Sequence, residues 1–177
     1  MLELLNSLKD NQTVAAVYTD INRPDFFSVG CILSACEDGV LMSHLGIRGE
    51  FDGYSAQRTD AVYRVETDSS YVDRIKKLSG LKGTVLKKDI DITSLPFESI
   101  VNYAVSSRHI AAISIDDDID DIVGYIDKYE GGKLYITQVS KNGITDGNTV
   151  IYLDDVLTIV AEDVDCTDLE LLNKNIE

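Results

Sequence analysis

Met1, Leu4, Leu5 and Leu8 follow the spacing i, i+3, i+4, i+7, which places them on one face of an amphipathic helix over about residues 1–10. Phe97, Ile100, Val101 and Ala104 repeat that spacing 96 positions later and predict a second helix over about 95–107. Pro96 fits the first turn of that helix, where a missing N–H costs nothing, and Ser94 is its expected N-cap. Between and after these helices come short β-branched and aromatic runs punctuated by Gly and Asp. They predict strands over Val14–Thr19, Ser28–Cys36, Val40–Gly46, Tyr54–Arg58 and Val62–Thr67. A second set is expected over Ile110–Ile115, Ile122–Tyr129, Lys133–Val139, Thr149–Leu153 and Val156–Ala161. Each set closes on a helical patch, Tyr71–Leu78 and Thr167–Asn173.

The two sets align on each other. At a shift of 96, Val14–Val17 (VAAV) falls on Ile110–Ile113 (IAAI). The shift becomes 94 inside the next loop and then holds. Val29-Gly30 matches Val123-Gly124, Asp52-Gly53 matches Asp146-Gly147, and Asp60 matches Asp154. A constant shift with one change in a loop is the mark of an internal repeat. The expected organisation is a first repeat over 1–79, a linker over 80–94 and a second repeat over 95–177. Val85, Leu86, Ile90 and Ile92 make that linker too apolar for a flexible tether. It is expected to pack across the two units, hold them as one body and give an internal twofold.

Five short strands bury a one-sided core when the sheet bends strongly. Gly30 and Gly124 lie inside the second strand, where a bend needs room. The fold class expected is mainly β with helices: two tandem units, each a helix followed by a five-stranded bent barrel. In this order of elements each unit resembles the Sm-like (Sm/Hfq-type, or SH3-like) small β-barrel fold. The resemblance implies ring assembly through strands four and five and RNA binding in loops. The RNA-binding signatures of that family are not matched: the turn between strands two and three reads Cys36-Glu37-Asp38-Gly39 and Tyr129-Glu130-Gly131-Gly132. Ile47-Arg48-Gly49 lies one loop too early for the second signature, and its counterpart is Lys141-Asn142-Gly143.

Charge narrows the partners. The 177 residues carry a net charge of −15, and the acidity is concentrated in the second half. Residues 1–79 hold 8 Lys+Arg and 12 Asp+Glu, whereas 80–177 hold 8 and 19. Nucleic-acid affinity comes largely from cationic side chains that displace counterions, so RNA and DNA are disfavoured. Anionic membranes are disfavoured for the same reason. No apolar run reaches the roughly 18–20 residues of a membrane helix, and the N-terminal MLELLNSLKDN has neither a basic segment nor a cleavage site of a leader. Three cysteines, Cys31, Cys36 and Cys166, suit reduced thiols in the cytoplasm better than a disulfide framework.

Candidate chemistry is sparse. The run Asp116-Asp117-Asp118-Ile119-Asp120-Asp121 offers hard oxygens, but it lacks the Gly and the distal Glu of a calcium loop, so a solvated loop is expected. His44 has Gln138 as its counterpart, and His109 stands before a strand; neither has a nucleophile and carboxylate beside it in sequence. Asp52, Asp146, Asp60 and Asp154 recur in both repeats and read as turn formers. No phosphate loop, dinucleotide fingerprint, nucleophile elbow or zincin motif occurs, so no catalytic, metal or cofactor residue is expected. Phe26, Phe27, Phe51 and Tyr54 are the candidate interaction patch, or plugs of the barrel ends.

The favoured reading is a non-enzymatic, cytoplasmic adaptor or regulator that binds another protein and exists as a monomer or dimer. Three alternatives stand beside it: a nucleic-acid-binding Sm relative, an acidic protein that masks a basic nucleic-acid-binding surface, and a small-molecule enzyme with its site between the units.

Overall fold

The computed structural model describes residues 1–86, 89–116 and 119–175. The first half contains α1 (Leu2–Asp10), β1 (Val14–Tyr18), β2 (Ser28–Ala35), β3 (Val40–Leu45), β4 (Phe51–Gln57), β5 (Arg64–Glu66) and α2 (Ser70–Lys82). The second contains α3 (Pro96–Ser107), β6 (Ile110–Ser114), β7 (Ile122–Glu130), β8 (Lys133–Val139), β9 (Thr145–Tyr152), a 3-10 turn (Leu153–Asp155), β10 (Thr158–Ala161) and α4 (Val164–Lys174). The fold is therefore a mixture of helices and antiparallel strands, with strands dominating.

The same pairings occur in both halves. Ala15 faces Gly30 and Gly30 faces His44; Ala111 faces Gly124 and Gly124 faces Gln138. Register shifts follow Ile32 on β2 and Ile126 on β7, at matching positions. The glycines are required by distance. A Cβ on Gly30 would lie 2.0 Å from the Ser43 carbonyl oxygen, and one on Gly124 would lie 2.2 Å from that of Thr137. Backbone cannot yield there as a side-chain tip can, so these two positions let the sheet bend.

Two closed barrels do not form. The ten strands make one continuous open sheet in the order β5-β1-β2-β3-β4-β10-β6-β7-β8-β9. The physical reason is the edge problem: unpaired N–H and C=O groups along β4 and β10 find partners in each other. Thr158 faces Gln57, Ile159 faces Ala56, Val160 faces Ser55 and Ala161 faces Tyr54. The expected internal twofold is also corrected. A twofold pairs like with like, whereas here β4 pairs β10, the counterpart of β5, in a head-to-tail manner.

A shared core covers the junction. α3 packs on β7 and β10 of its own half and also on β3 and β4 of the other. Phe97 and Ile100 of α3 join Leu41, Tyr54 and Ala56 from the first half and Ile113, Ile136 and Ile159 from the second in one cluster. Ile90, from the segment between the halves, is buried in that cluster, while Val85 remains exposed and Lys87 and Lys88 lie outside the described residues. Smaller clusters sit under α1, with Leu5 and Leu8 against Ile32, Val40 and Met42, and under α2, with Val72 and Ile75 against Ala16 and Leu45.

Arg58 locks the halves together. Its Nε donates to the Val156 carbonyl at 2.7 Å, and its Nη2 donates to those of Leu153 at 2.9 Å and Asp154 at 2.7 Å. The guanidinium also lies 4.6 Å from the centre of the Phe97 ring. One planar fork thus caps the 3-10 turn and covers an aromatic face, a geometry that Lys does not reproduce.

Other local readings shift. Asp52-Gly53 and Asp146-Gly147 lie within β4 and β9 instead of turning the chain. Gly53 and Gly147, at φ of 77° and 89°, make irregularities in the strand, and the reversals fall earlier, at Gly49 and Gly143. Ser94 does not cap α3: the N-cap position is Leu95, and Thr93 and Ser99 exchange hydrogen bonds at that helix start.

Three outcomes are expected from this packing. Arg58→Ala and Arg58→Lys should each lower the unfolding free energy measured by urea titration, the alanine by about 2–4 kcal/mol because carbonyls at the junction lose charged donors. Gly30→Ala should cost about 2 kcal/mol or more through backbone overlap. Gly80→Ala, where an added Cβ meets nothing within 4 Å, should be neutral or stabilise α2 by up to about 1 kcal/mol.

Candidate functional site

The junction that joins the sheet also shapes a cleft of about 520 Å³. Its floor comes from Ser28 on β2, Ser55 and Gln57 on β4, Ser114 on β6, and Thr158 and Val160 on β10. Two loops at equivalent places in the halves form its rim. One supplies Asp20, Arg23, Phe26 and Phe27, and the other Asp116, Ile119, Asp120 and Asp121. The cleft thus has a hydroxyl and amide floor under a rim dominated by carboxylates.

The first rim loop is ordered by its own side chains. Asp20 Oδ1 accepts from the backbone N–H groups of Asn22 at 2.8 Å and Arg23 at 3.3 Å, and its Oδ2 accepts from Arg23 Nε at 2.5 Å. The Arg23 guanidinium, then the Asn22 N–H, hold the Asp20 carboxyl below the usual range. Arg23 also lies 5.1 Å over the Phe26 ring, which is 67% exposed. Phe27 anchors the loop by stacking on Tyr18 at 4.7 Å and meeting Tyr71 edge-on at 5.3 Å. Among the rim residues of the second loop Ile119 is 60% exposed, and Asp117 and Asp118 of the acidic run lie outside the described residues.

Three of the floor residues belong to a polar chain that ends on His44. Gln57 Nε2 donates to Ser28 Oγ at 2.9 Å and to Ser55 Oγ at 3.0 Å, and Ser55 Oγ lies 2.6 Å from His44 Nε2. Burial lowers the His44 pKa to about 4, against a smaller opposing pull from Asp163. The imidazole is therefore neutral at pH 7. With Gln57 donating to Ser55, the serine hydroxyl is placed to donate to His44 Nε2, an assignment that follows from the hydrogen-bond network. A serine on a neutral histidine has the makings of a nucleophile, but Ser55 is 0% exposed and the chain holds it shut. The arrangement serves as a structural latch between β3 and β4. Its counterparts in the second half are Gln138, Thr149 and Ile151, so the latch occurs once.

The remaining candidates fall elsewhere. His109 Nδ1 lies 3.0 Å from Glu170 Oε1, and the same oxygen accepts from Ile110 N at 2.9 Å. Tyr103 stacks on the His109 ring at 5.4 Å. That group ties α4 to β6. Asp52 Oδ1 accepts from Val164 N at 3.1 Å, so this carboxylate of β4 caps the first turn of α4 across the junction. Burial raises the Asp52 pKa, against the bond from Val164. Tyr54 is fully buried, its hydroxyl pushed up to about 12 mainly by burial, and Phe51 packs beside it at 5.3 Å. The four aromatics therefore do not share one surface: Phe26 and Phe27 reach the cleft, and Phe51 and Tyr54 plug the core. Among the described residues no cluster of three His, Cys, Asp or Glu side chains is placed to hold a metal ion. Among the described residues, too, no helix is long and apolar enough to cross a membrane.

The cleft floor was not legible in the sequence, because Ser28, Gln57, Ser114 and Thr158 are isolated polar residues on four strands. The one available signal was asymmetry: Ser28 and Gln57 stand where the second half has Ile122 and Ile151. No family model, curated protein or solved structure matches this chain.

The latch sets a pH dependence. The folded pKa of His44 lies below its unfolded value of about 6.5, so its contribution is fully present above pH 6.5 and is lost as the pH falls toward 4. Between pH 7 and 5 the loss should reach about 1–2 kcal/mol. Urea midpoints across that window should fall for the native chain and fall less for His44→Gln.

Proposed function

We propose that this chain is a non-enzymatic adaptor built from two fused copies of one Sm-like unit, and that the junction cleft receives a basic segment of a partner protein. The observation that carries this reading is the cleft itself: hydrogen-bonding groups on the floor, Asp116, Asp120 and Asp121 on the rim facing the Asp20–Arg23 ion pair, and exposed Phe26 and Ile119 beside them. Carboxylates around a concave surface concentrate field lines and draw in cations. A hydroxyl and amide floor suits a peptide backbone or a guanidinium, and an exposed aromatic beside it suits the stem of a Lys or Arg side chain. The matching registers of the two halves support the fused-copy origin.

The alternatives fit less well. A phosphate backbone would meet the acidic rim with repulsion, in a chain of net charge −15. Hydrolysis at Ser55 would require a buried hydroxyl to reach a substrate. An acidic protein that masks a basic nucleic-acid-binding surface is a special case of the leading proposal, since the partner chemistry is the same. A reducing, cytoplasmic setting belongs to this reading through the sparse cysteines.

Fluorescence anisotropy with three probes tests it at near-physiological salt, where the screening length is about 8 Å. A Lys/Arg-rich peptide should bind in the micromolar range and weaken about tenfold or more as salt rises. Phe26→Ala combined with Asp120→Asn should weaken it by a similar factor. An acidic peptide should not bind. An RNA oligonucleotide bound as tightly as the basic peptide would sink the proposal, as would a basic peptide indifferent to the double variant.

A further inference from the structure

The cleft already contains a cation of its own. Among the described residues that line it, Arg23 is the one Lys or Arg side chain, and the facing loop, residues 115–122, has neither in its sequence. Two contacts of Arg23 are those a basic ligand would seek. Its Nε donates to Asp20 Oδ2 at 2.5 Å, and its guanidinium lies 5.1 Å from the centre of the Phe26 ring. Resting on the reading of the cleft as the receptor of a basic segment, we propose that Arg23 holds, in the free chain, the subsite that an arginine side chain of the partner takes on binding. Arg23 is then a built-in competitor, displaced by the ligand it resembles.

The subsite is fixed, and its occupant is not. Asp20 is held through Oδ1 by the backbone N–H groups of Asn22 and Arg23, and its side chain is only 12% exposed. Any residue at position 23 supplies that second N–H, so the carboxylate stays in place when the guanidinium leaves. The Arg23 side chain is 51% exposed and reaches Asp20 from three residues away. Exposed pairs of this kind are weak, because one geometry costs a long side chain its rotamer entropy and water screens the charges. The aromatic face is equally well placed. Phe27 anchors the loop on Tyr18 and Tyr71, while Phe26 beside it stays exposed.

The floor adds an acceptor. Gln57 is 3% exposed, and its hydrogen bonds to Ser28 and Ser55 both use Nε2. Ser55 donates to His44 and must therefore accept from Gln57, which keeps the amide nitrogen inward. The amide Oε1 has no hydrogen-bond partner among the described residues and stands as an acceptor at the cleft floor. Rim and floor together offer a carboxylate oxygen, an amide oxygen and an aromatic face. A guanidinium carries five N–H donors in one plane and stacks on aromatic rings, whereas an ammonium is a compact, strongly hydrated point charge. The set favours arginine over lysine, and the internal occupant is itself an arginine.

Fluorescence anisotropy of the intact chain tests the proposal with two peptides of equal length and charge, one Arg-rich and one Lys-rich. The Arg-rich peptide should bind the more tightly, by about two- to fivefold. Arg23→Gln should tighten its binding by a further factor of about two to five, and Arg23→Lys, a poorer stand-in, should lie between the two. The gain should persist at raised salt, where a longer-range effect of the lost charge fades. Correlation spectra of the isotope-labelled chain with unlabelled peptide supply a direct readout. The Arg23 Nε–H signal, identified by its loss in Arg23→Gln, should differ from that of a solvated arginine in the free chain and move toward it as the Arg-rich peptide is added. Equal binding to the native chain and to Arg23→Gln, with an unmoved Arg23 signal, would overturn the competitor and leave the basic-segment reading intact. Equal affinity for the two peptides would overturn the preference for arginine. Failure of both the native chain and Arg23→Gln to bind either peptide would overturn the reading of the cleft itself.

Discussion

Edge pairing between β4 and β10 is the contact on which the rest of this structure depends. Neither half has an independent reason to expose a strand of Phe51–Gln57 or Thr158–Ala161, since an unpaired edge carries unsatisfied backbone groups. Once those edges meet, Ala56 and Ile159 face each other fully buried. α3 then lies over strands of both halves and Arg58 reaches the carbonyls of the opposite turn. The core cluster that results draws on β3, β4, β6, β8, β10 and α3 together. The two halves thus share their largest apolar cluster, and separating them would expose it.

The same pairing creates the cleft. Ser55 and Gln57 on one strand and Thr158 and Val160 on its partner form a floor only because the strands are adjacent. The β1–β2 and β6–β7 loops then stand on either side as rims. The two halves differ here. His44, Ser55, Gln57 and Ser28 form a polar latch in the first half, and Gln138, Thr149, Ile151 and Ile122 replace them in the second. A buried polar chain is tolerated because its members satisfy one another. The neutral state of His44 is part of that arrangement, since a charged imidazole would have to be desolvated.

Acidity bears on the partner proposed for the cleft. Asp20 stands on one rim loop and Asp116, Asp120 and Asp121 on the other. A concave surface lined by one sign of charge concentrates its field toward ions of the opposite sign. Salt screens that field over a distance of about 8 Å at physiological ionic strength.

Much of the architecture was legible in the chain itself. Helical spacing at Met1–Leu8 and Phe97–Ala104, the paired glycines Gly30 and Gly124, and the constant shift between halves determine the order of elements and most strand positions. They do so because period and turn chemistry are local properties. Strand ends and turns around Asp52-Gly53 were misplaced, because a positive φ makes a turn or a bulge depending on what lies beside it. Whether the sheet closed into two barrels or ran on as one was a question of which edges meet, and no local pattern encodes that. The capping of α4 by Asp52 and the lock at Arg58 likewise join residues 95 or more positions apart, and the cleft draws on both halves of the chain. Sequence determined the order of elements in each half; only the tertiary structure decided how the halves are joined, because hydrogen bonds between edges depend on proximity in space and not on order along the chain.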